Sequence, residues 1–393
     1  MIEDEQPEYT PEDLQKLGSE WMARIAESET REEKWRKDAE KAEAAYLCDD
    51  EDNMEVPDFN ILHSNVETIV PAIYNSTPRP EIRPRHSRED KAAKFIADIH
   101  ERVLTTLIDD NKLDAEIEAG AQDAFMAGRD VVRIKFDADV EQIVLVDEFT
   151  GEEIPQGEQV SNEKIIFENV SWRDFRMGPA KRWRDVPWVA YRHEVSNEER
   201  EKLENPEYKS ENDKKDQPKD CPVWEIWCKE SKRVYFVVEE TMKVLNIIDD
   251  PLGLEGFFPQ GEPVQPITGT GKMTPVCPYT IYKALAEELD EATKRIRKIM
   301  KGLKVRGIIA GDATIADLMA EAGDNELVPL PNAENLAAIG GLDRAIAWWP
   351  ADMAIAVLRE LYMEREQTKQ AIYEVTGISD IIRGQGAASE TAT

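Results

Sequence analysis

The chain has 393 residues, of which 81 are acidic and 49 are basic, and its formal net charge is −32. This excess argues against a general nucleic-acid binder and against a protein that rests on an anionic membrane, because both need a net basic face. It leaves open a protein that surrounds DNA without gripping it, since an acidic wall repels phosphate. The length predicts two to three domains.

The first predicted helix begins with a capping pattern. Thr10 is the expected N-cap, Pro11 the first helical residue and Asp13 the acidic group that bonds back to the cap. The apolar spacing continues to Tyr46, and a break is expected near Glu29–Thr30.

The apolar residues from Ile61 to Ile73 predict a second helix, and Pro71 within it predicts either a kink or a late restart of the helix. The segment 78–88 then alternates prolines with four arginines, Arg79, Arg83, Arg85 and Arg88. Because a proline disfavours helix for the residue before it, this segment is predicted to be extended. Its cations either pair with the acidic surroundings or contact an acidic partner.

The next helix is predicted to start at Ser87 as its cap and to end at Asn111. Its apolar stripe consists of Phe95, Ile99, Val103, Leu107 and Ile108. A further helix is expected from Leu113 to about Ala127, closed by Gly128.

The period changes from 3.6 to 2 after Asp130, which predicts strands. The first is half-buried, with Val132, Ile134 and Phe136 on its apolar face. Two more strands are expected at 143–146 and 164–168, separated by turns at 150–152 and 155–157.

Later segments show clearer boundaries. A strand is predicted at 189–194, a short helix capped by Ser196 to about Glu204, and a hairpin of 224–228 with 233–238. The proline-rich segment 249–280 has no regular period, but its apolar Gly256–Pro259 stretch is expected to tuck into a core or a neighbour.

The stretch 281–375 has the order long helix, small insert, long helix. The first helix carries the stripe Ile281, Leu285, Leu289, Ala292, Ile296, Ile299 and Leu303. Its carboxylates come first and its cations later, which suits the helix dipole and allows the pairs Asp290–Lys294 and Glu291–Arg295. The second helix begins near Pro350, ends at Thr376-Gly377, and carries Ile355, Leu358, Leu361 or Tyr362, Thr368, Ile372 and Val375, interrupted by Arg365.

The insert is predicted to hold a strand at 305–310, a short helix capped by Asp312 that continues to Ala322, and an edge strand at 327–331. After the second long helix, the glycine-rich segment 377–388 is predicted to be a loop, and Ser389 begins another helix. A helix that starts there suggests that the native protein continues.

Neither long helix has a wide apolar stripe, so two such helices cannot build a broad core alone. We expect them to pack against copies of themselves, as walls between neighbouring subunits. The alternative is an ordinary helical hairpin in a monomer.

The sequence contains no recognisable catalytic constellation. Its four cysteines (Cys48, Cys221, Cys228 and Cys277) lack metal-site spacing and are expected to be free thiols in a reducing cytoplasm. Gly269–Lys272 is predicted to be a turn and not a phosphate-binding loop. The histidines His63, His86, His100 and His193 look isolated, and helix-end electrostatics account for Glu287 and Glu291 without a metal. With no signal peptide and no apolar run of roughly 20 residues, we expect a soluble cytoplasmic protein.

Several stretches, taken in their order along the chain, carry a family resemblance. They are Phe59 to Arg85, DVPWVA at 185–190, GLEGFFP at 253–259, AEELDEATKRI at 286–296, TGISDIIRG at 376–384 and ASETAT at 388–393. Together they resemble tailed-phage portal proteins of the podovirus type, and the helix–insert–helix order matches independently.

The resemblance implies an α+β portal fold without enzymatic activity or cofactor. Such subunits form a homo-oligomeric ring, usually of twelve, through which double-stranded DNA enters and leaves the capsid. Implied partners are the major capsid protein, the terminase, and head-tail adaptor and tail proteins, in the virion or in the host cytoplasm during assembly. Residues 1–280 would be the wing, 281–304 and 350–376 the stem helices, 305–349 the clip, 377–388 the tunnel loop and 389–393 the start of a crown helix.

The resemblance also implies functional residues. Ser379, Arg383 and Gln385 would face DNA from the tunnel loop, and Asp312, Asp317, Glu321 and Asp324 of the clip would face the terminase or adaptor. The basic stripe Lys294, Arg295, Lys298 and Lys301 would face the channel or, as we prefer, pair with carboxylates of the next subunit. Two alternatives remain, an acidic helical adaptor without a channel and a carboxylate-dependent metal nuclease.

Overall fold

The computed structural model describes residues 9–48, 59–76, 78–84, 90–146, 153–208, 220–302, 307–309, 346–348 and 351–378. Its helices and antiparallel strands occupy separate segments, so the fold class is α+β, as predicted. The chain divides into two compact units. The first unit comprises Met1–Leu47 and Asn65–Thr280, and the second comprises Cys48–Ser64 and Ile281–Thr393.

The N-terminal helix α1 (Pro11–Leu47) starts at the predicted cap, where the Asp13 backbone N–H donates to Thr10 Oγ1 at 3.2 Å. The break expected near Glu29–Thr30 was wrong, because α1 runs unbroken through this turn. Tertiary contacts explain the difference. The side chain of Ser28 is fully buried, and its hydroxyl donates to the carbonyl oxygen of Met177 at 2.9 Å.

One turn of α1 lies against a backbone loop at very short range. A Cβ atom on Gly18 would lie 1.8 Å from the carbonyl oxygen of Met242, a distance that no real Cβ contact shows. Only glycine therefore allows α1 to pack this closely on the loop that joins two strands of the sheet described below.

Three further helices follow: α2 (Ile61–Ile73), α3 (Lys91–Asp110) and α4 (Leu113–Met126). The predicted Ser87 cap of α3 was wrong. Asp90 caps the helix by accepting from the backbone N–H groups of Ala92 and Ala93, while Ser87 lies outside the described residues. The predicted ends of α3 and α4 are confirmed at Asn111 and just before Gly128.

The apolar stripe of α3 is largely uncovered by the described residues. Phe95 is 66% exposed and Val103 is 50% exposed, and Ala97 is the one residue of this helix that is buried. Helical spacing therefore identified the stripe correctly, but the described part of the chain leaves it facing solvent.

The core of the first unit is a five-stranded antiparallel meander, with the strands in chain order. They are β3 (Phe175–Met177), β4 (Trp188–Ser196), β5 (Asp220–Cys228), β6 (Arg233–Val238) and β7 (Val244–Asp249). The predicted strand at 189–194 and the predicted hairpin correspond to β4, β5 and β6. The predicted short helix is α5 (Asn197–Leu203). Ser196 and Glu199 cap its N-terminus with a reciprocal capping box.

Both faces of this sheet are apolar, because apolar residues occupy consecutive strand positions, whose side chains point to opposite sides. On one face Trp188, Ala190 and Ile226 pack with Trp21 and Ile25 of α1. On the other face a cluster forms from Phe175, Val189, Tyr191, Trp227, Phe257 and Phe258. The stretch Gly256–Pro259 was expected to enter a core, and the burial of both phenylalanines confirms this.

A separate two-stranded hairpin precedes the sheet, formed by β1 (Val132–Val146) and β2 (Glu153–Asn169). The prediction of three short strands with a turn at 155–157 was wrong, because Pro155 and Gly157 lie within β2 opposite β1. Register shifts between Asp137 and Asp139 and between Ile143 and Val144 absorb the irregular residues while the pairing continues. The predicted turn at 150–152 lies outside the described residues.

The burial pattern of β1 is the reverse of the prediction. Ile134 and Phe136 are 42% and 51% exposed, whereas Arg133 between them is fully buried. Across the pair, Ile134 lies opposite Phe167 and Phe136 opposite Ile165. Residues opposite each other share a face, so one face of the hairpin presents four apolar side chains.

The second unit contains the long helices α6 (Tyr279–Gly302) and α7 (Ala351–Thr376), with the short strands β8 (Gly307–Ile309) and β9 (Ile346–Trp348) between them. The two long helices were predicted within two residues of these bounds. β8 lies in the predicted strand 305–310, and its antiparallel partner β9 was not predicted. The expected helix at 313–322, the edge strand at 327–331 and the segment 379–393 lie outside the described residues. None of the described helices has the length and apolar character needed to cross a membrane.

Candidate functional site: a helix pair with exposed apolar flanks

The helices α6 and α7 share a small apolar cluster. Ile296 of α6 packs with Leu358 and Leu361 of α7, and Ile299 lies against them. Leu361 is the buried member of the predicted Leu361/Tyr362 alternative, since Tyr362 is 52% exposed. At the helix ends the predicted stripe is not covered by the described residues, because Ile281, Ile355 and Val375 are exposed.

A layer of polar contacts joins the helices near their middle. Arg365 donates from Nε to the Thr293 hydroxyl oxygen at 3.1 Å, and its guanidinium lies 4.5 Å from the centre of the Phe59 ring. The backbone N–H of Phe59 donates to Asp290 Oδ1 at 3.1 Å, and Lys294 pairs with Asp290 at 3.0 Å. Arg365 thus interrupts the apolar stripe, as predicted, because it makes directional contacts at this level.

The outer surface of α7 carries apolar side chains on both sides of its buried stripe. Residues three, four or seven positions apart share one side of a helix. Ile355 and Tyr362 therefore lie on one flank, and Met353 and Val357 lie on the other. Met353 is 74% exposed, and the other three are between 41% and 52% exposed. The pair thus presents apolar groups that its own packing does not use.

The predicted basic stripe lies on α6, and the described residues neutralise only part of it. Lys294 forms its predicted ion pair with Asp290, while Arg295, Lys298 and Lys301 are exposed. Upstream, Glu287 pairs with Lys283 at 3.7 Å. The other predicted functional residues lie outside the described residues: Asp312, Asp317, Glu321, Asp324, Ser379, Arg383 and Gln385.

The first unit holds a buried charge network that the sequence did not reveal. Arg133 donates from Nε to Glu168 at 2.6 Å and from Nη1 to Glu225 at 2.9 Å, and its guanidinium lies 4.3 Å from the Tyr191 ring centre. His193 was predicted to be isolated, which was wrong, because its Nε2 lies 2.9 Å from Glu225 Oε2. Burial acts to raise the pKa of Glu225, but Arg133 and His193 outweigh it and hold that pKa well below its ordinary value.

A second network lies between α1 and the segment before β1. Arg129 and Glu32 form an ion pair with side chains 0% and 1% exposed, and Arg36 also donates to Glu32 at 3.0 Å. Burial acts to raise the pKa of Glu32, and Arg129 and Arg36 lower it below its ordinary value. Burial, followed by the charge of Arg176, lowers the pKa of Arg36 to about 10. The charged side chains of this network pair with each other and stabilise the packing of α1 on the segment before β1.

One buried carboxyl lacks such compensation. Asp130 is 8% exposed, and its Oδ1 has no hydrogen-bond partner among the described residues. Burial first, and the charge of Asp123 second, raise the pKa of Asp130 to about 7. Burial likewise raises the pKa of Asp123 to about 6.

The described residues show no arrangement that would hold a metal ion, since no three or more His, Cys, Asp or Glu side chains converge there. Gly269–Lys272 forms a tight turn, as predicted, with the Lys272 N–H donating to the Gly269 carbonyl oxygen at 3.2 Å. Cys277 is buried, and burial raises the pKa of its thiol to about 11, so it is not a reactive thiolate.

No model of a known protein family matches this chain, and no curated protein matches its sequence.

Proposed function

We propose that this chain is the subunit of a portal ring, through which double-stranded DNA enters and leaves a phage capsid. The observation that carries the proposal is the exposed apolar flanks of α7. A helix that contacts neighbours on two sides, as the wall of a closed ring does, needs such flanks, whereas a helical hairpin in a monomer does not.

The free energy available for association can be estimated from the exposed side chains of these flanks. Burying a large apolar side chain completely is worth roughly 1.5–3 kcal/mol. Four side chains that are about half exposed therefore leave roughly 3–6 kcal/mol per subunit for association with neighbouring copies. The small cluster between α6 and α7 does not use this free energy.

The net negative charge of the chain is consistent with the same function. At −32 per subunit, a ring repels phosphate, so DNA can slide past a wall to which it does not adhere. In this proposal α6 and α7 form the stem, the segment between them the clip, and the segment after Thr376 the loop that faces DNA. The exposed cations Arg295, Lys298 and Lys301 then meet carboxylates of the adjacent subunit. The proposal assigns no catalytic role to the chain.

The test compares the assembly of the wild type with that of two double variants of α7. Ile355→Ser with Tyr362→Ser removes one apolar flank, and Glu360→Ser with Gln367→Ser changes two exposed polar residues of the same helix. We expect wild type and control to form a particle many times the 44.7 kDa subunit mass, with a central hole in negative-stain images. The flank variant should need at least tenfold more protein to assemble, since tenfold corresponds to about 1.4 kcal/mol.

Circular dichroism checks that the variants retain the wild-type helix content. A wild-type chain that stays a single molecule at high concentration, and in the presence of capsid proteins, would refute the proposal. An assembly without a hole would instead favour the acidic adaptor.

A further inference from the structure

The first unit contains a cleft made of two adjoining cavities of about 1000 Å³ and 530 Å³. Three segments form it: residues 31–38 of α1, the loop 177–185 after β3, and the stretch 262–280 that includes the tight turn at 269–272. Lys181, Lys272 and Met273 line both cavities, so the two form one continuous surface. We name it the basic cleft.

The cleft concentrates positive charge in an otherwise acidic chain. Its lining includes six cations and three carboxylates: Arg31, Lys34, Lys181, Arg182, Arg184 and Lys272 against Asp38, Asp185 and Glu262. The local balance is therefore positive, while the whole chain carries −32. A positive surface in such a chain is a specific feature and not a consequence of composition.

Most of these cations have no carboxylate partner among the residues that the structure describes. Within the described residues Lys34, Lys181, Arg182 and Lys272 form no ion pair, and their side chains are exposed. Arg31 donates to two neutral oxygens, the Met177 carbonyl at 2.6 Å and the Ser28 hydroxyl at 3.1 Å. Arg184 pairs with a carboxylate, that of Asp185, at 3.6 Å. Arg133 of β1 and Arg129 just before it, in contrast, are paired with carboxylates.

The backbone beneath these cations is held in place. In the loop 181–185 the N–H of Asp185 donates to the Arg182 carbonyl at 3.0 Å, and the Trp183 ring packs 5.5 Å from that of Phe258. On the opposite side, Gln265 donates to the carbonyl oxygen of Met273 at 2.9 Å, next to Lys272. Cations fixed on two ordered turns bind an extended anion at a lower entropic cost than cations on free loops.

We propose that the basic cleft binds the phosphodiester backbone of nucleic acid. Six cations distributed over two adjoining cavities match a row of phosphates better than they match one carboxylate. Contacts of cations with phosphates carry no sequence information, so this binding is independent of sequence and depends steeply on salt. The proposal stands on the cleft and does not require ring formation.

The experiment measures binding of the full chain to a fluorescent duplex of about 24 base pairs, by anisotropy, across a series of salt concentrations. The cleft variant combines Lys181→Gln, Arg182→Gln and Lys272→Gln. The control combines Lys91→Gln, Lys94→Gln and Arg102→Gln, which removes three exposed cations of α3 and the same net charge. Inorganic tripolyphosphate serves as a second probe, and mass photometry of each protein records its assembly state separately.

We expect the wild type and the control to bind the duplex and the cleft variant to bind at least tenfold more weakly. The slope of log K against log salt should fall by about 2.7 in the cleft variant, since each lost phosphate contact removes about 0.9. Absence of duplex binding at low salt, or equal weakening of both variants, would overturn the proposal. So would binding of tripolyphosphate alone.

The assembly state of each protein is the last measurement of this experiment. If the wild type does not bind duplex and the cleft variant no longer assembles, the cleft contacts an acidic face of a second copy and the nucleic-acid proposal is wrong. If the wild type remains a monomer but binds duplex through the cleft, the portal proposal fails and this one stands.

Discussion

Replacing Asp130 by asparagine should stabilise the first unit at neutral and alkaline pH. The Asp130 carboxyl is buried beside Asp123, and its pKa rises from an ordinary value of 3.8 to about 7. At a pH above 7 the folded protein must therefore hold a charge where burial disfavours it. Asparagine has nearly the same shape and removes that charge, while the backbone bonds between Asp130 and Val264 remain.

The magnitude follows from linkage. One pKa unit corresponds to 1.36 kcal/mol, so a rise of about three units sets a ceiling of about 4 kcal/mol. Because the asparagine amide must itself be buried, we expect a gain of about 1–3 kcal/mol near pH 8. The folded-state pKa lies above the unfolded one. The folded chain therefore binds the extra proton between about pH 7 and 4, and the wild type regains stability as the pH falls through this window.

Urea unfolding followed by tryptophan fluorescence at about pH 8 and about pH 4.5 measures the effect. The stability of Asp130→Asn relative to wild type should be about 3 kcal/mol lower at the lower pH than at the higher one, because the protonated wild type no longer carries the buried charge. Asp137→Asn, an exposed substitution on β1, should show neither the gain nor its pH dependence. A loss of stability in Asp130→Asn at pH 8, or a gain that does not change with pH, would refute the reasoning.

Two further predictions concern stability. Glu32→Gln should cost about 3–5 kcal/mol of unfolding free energy, because it leaves the buried Arg129 charge without its partner, while Glu33→Gln, in an exposed pair on the same helix, should leave the urea midpoint unchanged. Equal effects in the two variants would contradict the assigned burial. Gly18→Ala should cost at least about 1–3 kcal/mol, because its Cβ would lie 1.8 Å from a backbone oxygen, whereas Gly261→Ala has nothing within 4 Å and should be close to neutral. Thermal melts of both glycine variants measure this, and an unchanged melting temperature in Gly18→Ala would show that α1 does not pack as described.

Elements with local signals were predictable from the sequence. The cap of α1 and the capping box of α5 depend on residues three positions apart, such as Ser196 and Glu199. A pattern within one helical turn of sequence is therefore enough to predict them. The long helices α6 and α7 were visible because their apolar spacing and charge order persist over several turns.

Features that depend on distant partners were not predictable. Arg133 reads as a solvent-facing residue of an alternating strand, but Glu225, 92 positions later, provides the charge that allows its burial. The carboxylate of Glu225 also contacts His193, and no residue near His193 in the sequence indicates this contact. The continuity of α1 through Glu29–Thr30 depends similarly on Ser28 reaching Met177, 149 positions away.

The basic cleft is an intermediate case. Its run Lys181-Arg182-Trp183-Arg184 is visible in the sequence, where nothing marks it as part of a cleft. What the sequence does not show is that Lys272 and Lys34 lie on the same cleft, since the fold brings them there from other segments.

The hydrogen bond between Arg365 and Thr293 has a mechanical consequence. Sliding one long helix along the other by a turn, about 5.4 Å, would break this bond and remove the guanidinium from the Phe59 ring, although the apolar contacts beside it could re-form at the new level. The pair therefore resists shear along its length, and a force applied to the end of one helix is carried by both.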